Sequence, residues 1–307
     1  MARNPRTPIR TWNFSDIPDQ TGRTAVVTGA NRGLGLAVAR ALAEAGAHVV
    51  LAVRNLQRGD AAAATVQGST EVRPLDLADL ASVHAFAASW QGDVDLLINN
   101  ASAINVPESR TKDGFERQLG TNHLGHFALT NLLLPHLTDR VVSLSSSMHK
   151  KARVHFDNLD LTGEYTPSAA YGQSKLAVLL FTLELQRRLS AAGSPVRALA
   201  AHPGWADTDL PEEGTGFLEG IFLRLGNRFI AQDSRTGALP TLYAAVQDLP
   251  GAGYVGPGGS FEISGAPALV GRSAAASDPA AARRLWTVSE ELTGTTFPES
   301  ALTTRSR

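Results

Sequence analysis

Short apolar runs alternate with longer amphipathic segments along most of this chain. The apolar runs predict strands near residues 24–28, 47–53, 71–75, 94–98, 140–145 and 195–201. The segments between them predict helices over residues 33–45, 56–67, 79–90, 113–137 and 168–191. Runs such as VDLLI are apolar at every position, which is typical of strands buried on both faces of a parallel sheet. The alternation therefore predicts an α/β fold, a doubly wound parallel sheet with helices on both faces.

The pattern loosens after residue 204. Residues 205–232 place several glycines around the apolar stretch GIFLRLGNRFI. The later elements are predicted to be a helix over 234–248, a short strand near 260–264 and a helix over about 278–292. No linker-like composition and no internal repeat divides the chain, so residues 21–307 are expected to form a single domain after a tail of residues 1–20. The tail contains side chains that could pack against this domain, namely Trp12, Phe14 and Ile17.

The composition is that of a globular protein without a strong electrostatic partner. The 307 residues are 43% hydrophobic and 19% charged. A net charge of −1 offers no general attraction for nucleic acid or for an anionic membrane. No apolar run approaches the ~20 residues that span a bilayer, and the first residues lack the apolar core of a signal peptide. The absence of cysteine excludes disulfides and Cys-based metal sites, and a cytoplasmic location is expected.

The sequence TGANRGLG at residues 28–35 follows a predicted strand and begins a predicted helix. Gly29 can adopt the positive φ of a tight turn, Gly33 permits close approach of the backbone to a ligand, and Gly35 allows helix and strand to pack closely. The first helical turn would then offer free N–H groups and a positive dipole end to a pyrophosphate. An ordinary strand-to-helix turn is the alternative, because the spacing differs from the usual G-x-G-x-x-G motif.

Tyr171 and Lys175 are four residues apart on a predicted helix, so their side chains share one face. An ammonium group beside a phenol lowers the pKa of the phenol, and such a tyrosine can exchange a proton with a substrate oxygen. Among the four tyrosines of the chain, only Tyr171 has a lysine at this spacing. A pair that merely covers the surface is the alternative, and the upstream glycine loop favours the catalytic interpretation.

Polar residues stand at the carboxyl ends of the predicted strands, where ligands bind in open α/β sheets. A serine cluster, Ser145 to Ser147, ends one strand, and one of its hydroxyls could bond a substrate oxygen. Asn99 and Asn100 end another strand. Turn formation is the alternative in both places. Asn122 lies inside a predicted helix, where asparagine is unfavourable, and this favours a polar role toward the cleft.

With these motifs in place, the chain resembles the short-chain dehydrogenase/reductase family. The resemblance extends over about residues 20–265 and rests on motifs in the family's order: TGANRGLG, Asp76-Leu77, NNAS at 99–102, Asn122, the serine cluster, YxxxK at 171–175 and PG…T at 203–208. The stretches TNHLGHF and YGQSKLAVLLF are most similar to the branch that contains retinol dehydrogenases and related bacterial oxidoreductases. The resemblance implies a Rossmann-type fold and a nicotinamide cofactor.

The resemblance also implies roles for the catalytic residues. Tyr171 is expected to be the general acid/base, while Lys175 holds the nicotinamide ribose and lowers the pKa of the tyrosine. Asn122 is expected to fix a water molecule in a proton relay. The catalytic serine of the family is the second of an SS pair, and alignment of the V-x-x-S-S pattern selects Ser146. The serine on either side of it remains an alternative.

The resemblance implies a cofactor surface drawn from several motifs. Asp76 and Leu77 match the adenine contacts. The backbone at Asn100 and Ala101 would line the adenosine ribose, and Thr208 matches the residue that contacts the nicotinamide carboxamide. The remaining residues expected to bind the cofactor come from the glycine loop, the catalytic pair and the PG pair, and are Gly29, Asn31, Arg32, Gly33, Leu34, Gly35, Tyr171, Lys175, Pro203 and Gly204.

The second predicted strand ends without a carboxylate that would bind a ribose 2′-hydroxyl and repel a 2′-phosphate. Arg54, at that strand end, and Arg32, in the glycine loop, could together clamp a 2′-phosphate. NADP(H) is therefore favoured over NAD(H), with a solvated surface charge as the alternative for either arginine. One position departs from the family: Ser102 stands where glycine is usual, and a side chain there would restrict φ beside the cofactor.

These features predict an NADP-dependent oxidoreductase that interconverts a ketone or aldehyde and an alcohol by hydride transfer. Residues 205–232 fall where the family has its substrate lid, and their apolar side chains favour a hydrophobic substrate. A tailoring enzyme with non-redox chemistry (dehydration, epimerisation or cyclisation) and a nucleotide-binding regulatory protein are the alternatives. Family members often pair the helices predicted at 113–137 and 168–191, so the resemblance allows a homodimer or a homotetramer.

The histidines do not form a metal-binding pattern. His123 and His126 are three residues apart on a predicted helix, but no third ligand or nearby carboxylate completes a site. Packing or polar contacts are therefore predicted for both. His149 and His155 follow the serine cluster and could touch a substrate, although exposure on a solvated loop is the stronger expectation.

Overall fold

A single sheet organises the part of the chain that the computed structural model describes, residues 12–204 and 234–298. Its strands are β1 (Thr24–Thr28), β2 (His48–Val53), β3 (Ser69–Pro74), β4 (Val94–Asn99), β5 (Leu137–Leu144), β6 (Arg197–Ala201), β7 (Tyr254–Pro257) and β8 (Pro267–Leu269). They lie in the order β3-β2-β1-β4-β5-β6-β7-β8. All neighbouring pairs are parallel except β7 and β8, which are antiparallel. The predicted doubly wound α/β fold is confirmed.

Helices cover both faces of this sheet. They are α1 (Gly33–Glu44), α2 (Leu56–Ala63), α3 (Leu80–Ala88), α4 (Arg117–Leu119), α5 (Gly125–Leu133), α6 (Pro167–Ala191), α7 (residues 234–246) and α8 (Pro279–Thr293). A π-helical turn, Gly120–Leu124, joins α4 to α5. The backbone therefore remains helical from the start of α4 to the end of α5.

Alternate side chains of the strands enter two different cores. In β1, Val27 packs into the core that α1, α2 and α7 share, whereas Val26 enters the core of α3, α5 and α6. This is why strands such as β1, β2 and β4 read as continuous apolar runs, since both of their faces are buried. The N-terminal segment packs against the first core through Trp12, whose ring meets that of Tyr243 edge-on at 5.3 Å.

The C-terminal helix packs on α5 and α6, which lie within the two segments whose pairing between subunits the resemblance allows. Trp286 of α8 is 1% exposed. Its ring centroid lies 4.9 Å from that of Phe127 in α5 and 5.8 Å from that of Phe181 in α6. This aromatic face of α5 and α6 is therefore occupied by the chain's own C-terminal helix.

Some predicted boundaries are wrong. The strand predicted near 260–264 does not form: a 3-10 turn, Ser260–Glu262, occupies that stretch between β7 and β8. The helix predicted at 113–137 begins later because the Glu116 carboxylate accepts hydrogen bonds from the first free N–H groups of α4. It also ends earlier, at Leu133, because a 3-10 turn that contains Pro135 follows.

Within the described ranges, no helix has both the length and the apolar composition needed to cross a membrane. The predicted substrate lid at 205–232, and with it Thr208, lies outside the described residues.

Candidate active site

The glycine loop is packed tightly at one end and open at the other. Gly29, which follows β1, has a φ of +67°, so it needs the left-handed region that favours glycine. A Cβ on Gly35 would lie 2.4 Å from Asn100 Nδ2 and 2.6 Å from the Gly29 carbonyl oxygen. Gly33 also has a positive φ, +54°, but a Cβ there would meet no atom within 4 Å. The loop therefore needs glycine for its own packing, and its open end faces free space.

The open end coincides with the N-terminus of α1. Arg32 is the N-cap residue of this helix, and its side chain forms no capping hydrogen bond with the first turn. The first N–H groups of a helix have no partner within the helix, and they carry its positive dipole end. Donors of this kind beside an open glycine position fit the pyrophosphate of a dinucleotide. Asn31 lies in the preceding turn and is partly exposed.

Thr28, the last residue of β1, ties the glycine loop to the loop after β4. Its Oγ1 accepts hydrogen bonds from the backbone N–H groups of Asn100 and Ala101, both at 2.9 Å. The Asn100 side chain donates in return to the Thr28 carbonyl oxygen at 2.7 Å. The two loops are thereby held side by side, as a shared dinucleotide site requires. Sequence reasoning missed Thr28, although it opens the TGANRGLG motif.

Asp76 and Leu77 shape the loop after β3. Asp76 Oδ1 accepts from the Ala78 N–H at 3.0 Å, and the Asp76 N–H donates to Ser82 Oγ at 2.9 Å. Leu77 is buried against the first turn of α5, where a Cβ on Gly125 would lie 2.3 Å from the Leu77 carbonyl oxygen. Both residues thus fix the loop at the carboxyl edge of the sheet.

Pro203 and Gly204 follow β6 at the same edge of the sheet. A Cβ on Gly237 of α7 would lie 3.4 Å from both Pro203 Cβ and Leu34 Cδ1. The helix α7 therefore brings the PG pair close to the glycine loop. Gly204 has a φ of +81°, and its N–H donates to His202 Nδ1 at 3.2 Å.

The two arginines predicted to recognise a 2′-phosphate are both exposed. Arg32 precedes α1, and Arg54 directly follows β2. Within the described ranges, neither guanidinium forms a salt bridge. Both charges are therefore open to solvent.

Asn122 lies in the π-helical turn and holds the chain on both sides of it. Its Oδ1 accepts from the Ala103 N–H at 2.7 Å, and its Nδ2 donates to the Ala103 carbonyl oxygen at 2.9 Å. The same Nδ2 lies 2.9 Å from Ser174 Oγ in α6. The side chain thus joins the loop after β4 to the helix that contains Tyr171.

The three serines after β5 differ in what they contact. Ser145 Oγ donates to the Lys175 carbonyl oxygen at 2.8 Å, so this hydroxyl is engaged in the backbone of α6. Ser146 is 8% exposed, its Oγ accepts from the Met148 N–H at 3.3 Å, and it lies close enough to Tyr171 to lower the pKa of the phenol. Ser147 begins a 3-10 helix, for which Ser146 is the N-cap. Only Ser146 of the three therefore has its hydroxyl beside the phenol.

Burial controls the protonation of Tyr171 and Lys175. Desolvation raises the pKa of Tyr171 to about 12, and the nearby Ser146 side chain offsets this only in part. Desolvation also lowers the pKa of Lys175 to about 7. In this structure the effect of burial on the tyrosine pKa outweighs the lowering by the lysine that the resemblance implies. An ammonium that loses its charge near neutral pH gives a neighbouring phenolate little stabilisation.

His149 is buried, so its expected exposure on a solvated loop is wrong. It is 0% exposed, and its Nδ1 lies 2.7 Å from the Ser146 carbonyl oxygen. Its ring meets that of Tyr254 edge-on at 5.6 Å. His149 therefore supports the turn that carries Ser146. His155 is partly exposed, and its N–H donates to Gln173 Oε1 at 2.8 Å.

The serine that replaces the usual family glycine introduces no backbone strain. The φ angle of Ser102 is not positive, so its backbone conformation suits any amino acid. Its side chain is exposed, and its hydroxyl lies 3.4 Å from the Ala103 carbonyl oxygen. The substitution is therefore compatible with the loop as folded.

Among the residues that the structure describes, no group of three or more His, Asp or Glu side chains could hold a metal ion. His123 and His126 both form hydrogen bonds inside the fold instead. His123 Nε2 lies 2.8 Å from Ser289 Oγ in α8, and His126 Nε2 lies 2.9 Å from Thr28 Oγ1.

Comparison with known proteins relates this geometry to a family. The family profile described as short chain dehydrogenase matches residues 23–215, more than half of the chain. The chain belongs to the short-chain dehydrogenase family. Retinol dehydrogenase 13 of Homo sapiens is 41% identical over 298 residues, which cover 90% of this chain and 86% of that protein. Polyprenol dehydrogenase of Mus musculus is 40% identical over 301 residues, which cover 91% and 86% respectively.

A solved structure shares the fold of this short-chain dehydrogenase. The crystal structure of an uncharacterised protein from Mycobacterium paratuberculosis matches with a TM-score of 0.84 and 52% sequence identity. The match covers 94% of this chain and 99% of the other. The predicted family and its Rossmann-type fold are confirmed, and the protein is an NAD(P)-dependent oxidoreductase that acts on CH–OH or C=O groups.

Proposed function

We propose that this short-chain dehydrogenase uses NADP(H) to interconvert a carbonyl group and an alcohol on a hydrophobic small molecule. The observation that supports this most directly is the position of Tyr171 beside Ser146, which lowers the pKa of the phenol. Lys175 lies on the same face of α6, with its Nζ 5.5 Å from the centroid of the tyrosine ring. A proton donor, a second hydroxyl and a cation thus meet at the carboxyl edge of β5.

In the proposed reduction, Tyr171 donates its phenolic proton to the substrate oxygen. A phenol with a pKa of about 12 is protonated at neutral pH, which suits donation. The Ser146 hydroxyl hydrogen-bonds the same oxygen and orients the carbonyl group. Reduced nicotinamide, when bound, supplies the hydride for the carbonyl carbon. In the reverse direction, Tyr171 accepts the proton of the alcohol.

Lys175 and Asn122 support this proton transfer. Lys175 has a pKa of about 7, so it can both give and take a proton near neutral pH and restore the phenol after each turnover. Asn122 joins the loop after β4 to α6 through Ala103 and Ser174. It thereby keeps the proposed cofactor loop and the proton donor at a fixed separation.

A hydrophobic substrate is supported by apolar side chains at the rim of the site. Phe261 is 89% exposed and Ile263 is 48% exposed. Their loop packs on the PG pair, because a Cβ on Gly204 would lie 2.6 Å from the Ile263 carbonyl oxygen. Ile104, which follows the loop that Asn122 holds, is 57% exposed. The relatives are named for retinol and polyprenol, which are both apolar alcohols, and this also favours a hydrophobic substrate.

The test is titration of the purified protein with NADPH and with NADH, followed by a panel of apolar aldehydes and ketones. Turnover is read as the loss of reduced-nicotinamide absorbance. We expect tighter binding of NADPH and consumption of NADPH with at least one member of the panel. Binding without any redox turnover would favour the non-redox or the regulatory alternative, and binding of neither cofactor would overturn the proposal.

Cofactor preference is tested with Arg54→Ala. Loss of a charge-assisted contact to the 2′-phosphate should weaken NADPH binding by about tenfold and leave NADH binding nearly unchanged. Arg283→Ala is the matched control, since Arg283 is an exposed arginine on α8. Equal effects of Arg54→Ala on the two cofactors would remove this residue from the 2′-phosphate site.

A further inference from the structure

His126 bridges two polar groups that belong to different parts of the site. Its Nε2 lies 2.9 Å from Thr28 Oγ1, and its Nδ1 lies 3.0 Å from the Asn122 carbonyl oxygen. The residue is 4% exposed, so both contacts are made away from bulk water. Neither the proton transfer nor the cofactor contacts proposed above use this ring.

The partners of the ring fix its tautomer. A carbonyl oxygen can only accept, so the proton of the neutral ring must lie on Nδ1 and point to Asn122. Nε2 is then an acceptor, and the Thr28 hydroxyl donates to it. The other acceptor near that hydroxyl, the Ile98 carbonyl oxygen, is farther away at 3.4 Å. Burial lowers the pKa of His126 to about 4, so the ring is neutral at physiological pH.

This tautomer leaves both lone pairs of Thr28 Oγ1 free for the loop after β4. Those lone pairs accept the N–H groups of Asn100 and Ala101. The hydroxyl is thus fully used, with one donated and two accepted hydrogen bonds. His126 determines the direction of the hydroxyl proton, and through it the geometry that holds the two loops together.

At its other end the ring completes the π-helical turn. In this turn the Gly125 N–H donates to Gly120, five residues back, instead of the usual four. The His126 side chain donates to the carbonyl of Asn122, four residues back. Asn122 in turn clamps Ala103. The neighbouring Gly125 packs directly on the Leu77 carbonyl.

We propose that His126 is a positioning residue that holds the glycine loop and the loop after β4 in fixed register with Asn122. The proposal rests on the proposed function, since it assigns to His126 an influence on cofactor binding by those two loops. Hydrogen bonds from one rigid, buried ring to both segments would pre-organise the binding surface before the cofactor arrives.

The test uses His126→Asn. An asparagine can keep the bond to the carbonyl four residues back, as Asn131 does when it donates to Phe127 at 2.9 Å. It is too short to reach Thr28 as well. His123→Asn is the matched control, because His123 lies in the same helical segment, is 1% exposed and bonds Ser289 away from the loops. Both variants lose a buried ring, so a general packing defect affects them alike.

The first readout is the NADPH dissociation constant, measured without substrate by quenching of tryptophan fluorescence. We expect His126→Asn to raise it by about tenfold and His123→Asn to leave it nearly unchanged. In a Thr28→Val background, His126→Asn should add little, because the hydroxyl that it acts through is already gone. Thr28→Ser keeps the hydroxyl and should bind NADPH nearly as the wild type does.

The second readout needs no cofactor. Nitrogen NMR of the histidine side chains, assigned by the signals lost in His126→Asn, should show the tautomer with the proton on Nδ1. A proton on Nε2, or equal NADPH affinities for the variants at 123 and 126, would overturn the proposal. If the wild type binds neither cofactor, the proposed function fails. In that case two measurements decide whether Thr28 and His126 are hydrogen-bonded. They are the tautomer of His126 and the coupling free energy between Thr28→Val and His126→Asn in urea unfolding.

Discussion

Lys175 Nζ lies 5.5 Å from the centroid of the Tyr171 ring and donates a hydrogen bond to the Leu144 carbonyl oxygen at 2.9 Å. The lysine is therefore anchored to the end of β5, with its ammonium group beside the ring of the tyrosine. Burial gives the pair pKa values of about 12 and about 7, which favour a protonated phenol at neutral pH. The carboxyl edge of the sheet thus holds a proton donor whose nearest cation titrates in the physiological range.

Tyr171→Phe should remove the proposed proton donor and keep the ring beside Lys175. We expect kcat for carbonyl reduction to fall by at least ~100-fold, because general acid catalysis contributes an effect of that order. The NADPH dissociation constant should remain close to that of the wild type. Tyr243→Phe, which removes a hydroxyl on α7, is the control and should retain activity. Substantial turnover by Tyr171→Phe would assign the acid/base role to another group.

Stability should rise with pH through the range in which Lys175 titrates. Its pKa is about 7 in the folded chain against an ordinary value of 10.5, so between these values the unfolded chain binds the additional proton. The free energy of unfolding should therefore increase above about pH 7, by up to ~1.4 kcal/mol per pH unit from this group.

This pH dependence can be isolated with Lys175→Met, which has no titrating group at the position. Urea unfolding of both proteins at about pH 7 and about pH 9 should show the wild type gaining stability relative to the variant. If the difference between the two proteins is the same at both pH values, Lys175 is not a buried group with a lowered pKa.

Two glycines of the loop should respond differently to alanine. Gly35→Ala places a methyl group 2.4 Å from Asn100 Nδ2 and 2.6 Å from the Gly29 carbonyl oxygen, so the loop must move. We expect large losses of both stability and NADPH affinity. Gly33→Ala meets no atom and costs only the positive φ, about 1 kcal/mol. It should reduce NADPH affinity while urea unfolding changes little, and an equal loss of stability in both variants would contradict this packing.

Trp286 should be a major contributor to the stability of the C-terminal helix. Its ring packs against Phe127 and Phe181, and the guanidinium carbon of Arg188 lies 4.5 Å from the ring centroid. Trp286→Ala should lower the free energy of unfolding by about 3–5 kcal/mol. Leu292→Ala, at a position on the same helix that is 38% exposed, should cost much less. Similar midpoints in urea unfolding for the two variants would contradict the packing of α8.

The order of strands and helices could be predicted because it depends on local patterns. Apolar runs such as VVLAV in β2 and the glycines after β1 specify their structure within a few residues. The short strands β7 and β8 could not be found in this way. Each has three or four residues, and their pairing depends on the hairpin in which the Gly258 N–H donates to the Ala266 carbonyl oxygen.

The sequence alone determined the family, the fold class and the residues proposed for catalysis, because these appear as motifs with fixed spacing. The tertiary structure decided the protonation and the connections of the site. Whether Tyr171 has a raised or a lowered pKa depends on how much water the surrounding elements exclude. The link from Thr28 through His126 to Asn122 joins residues about a hundred positions apart. Such contacts form only when the strands and helices pack, so no local pattern in the sequence encodes them.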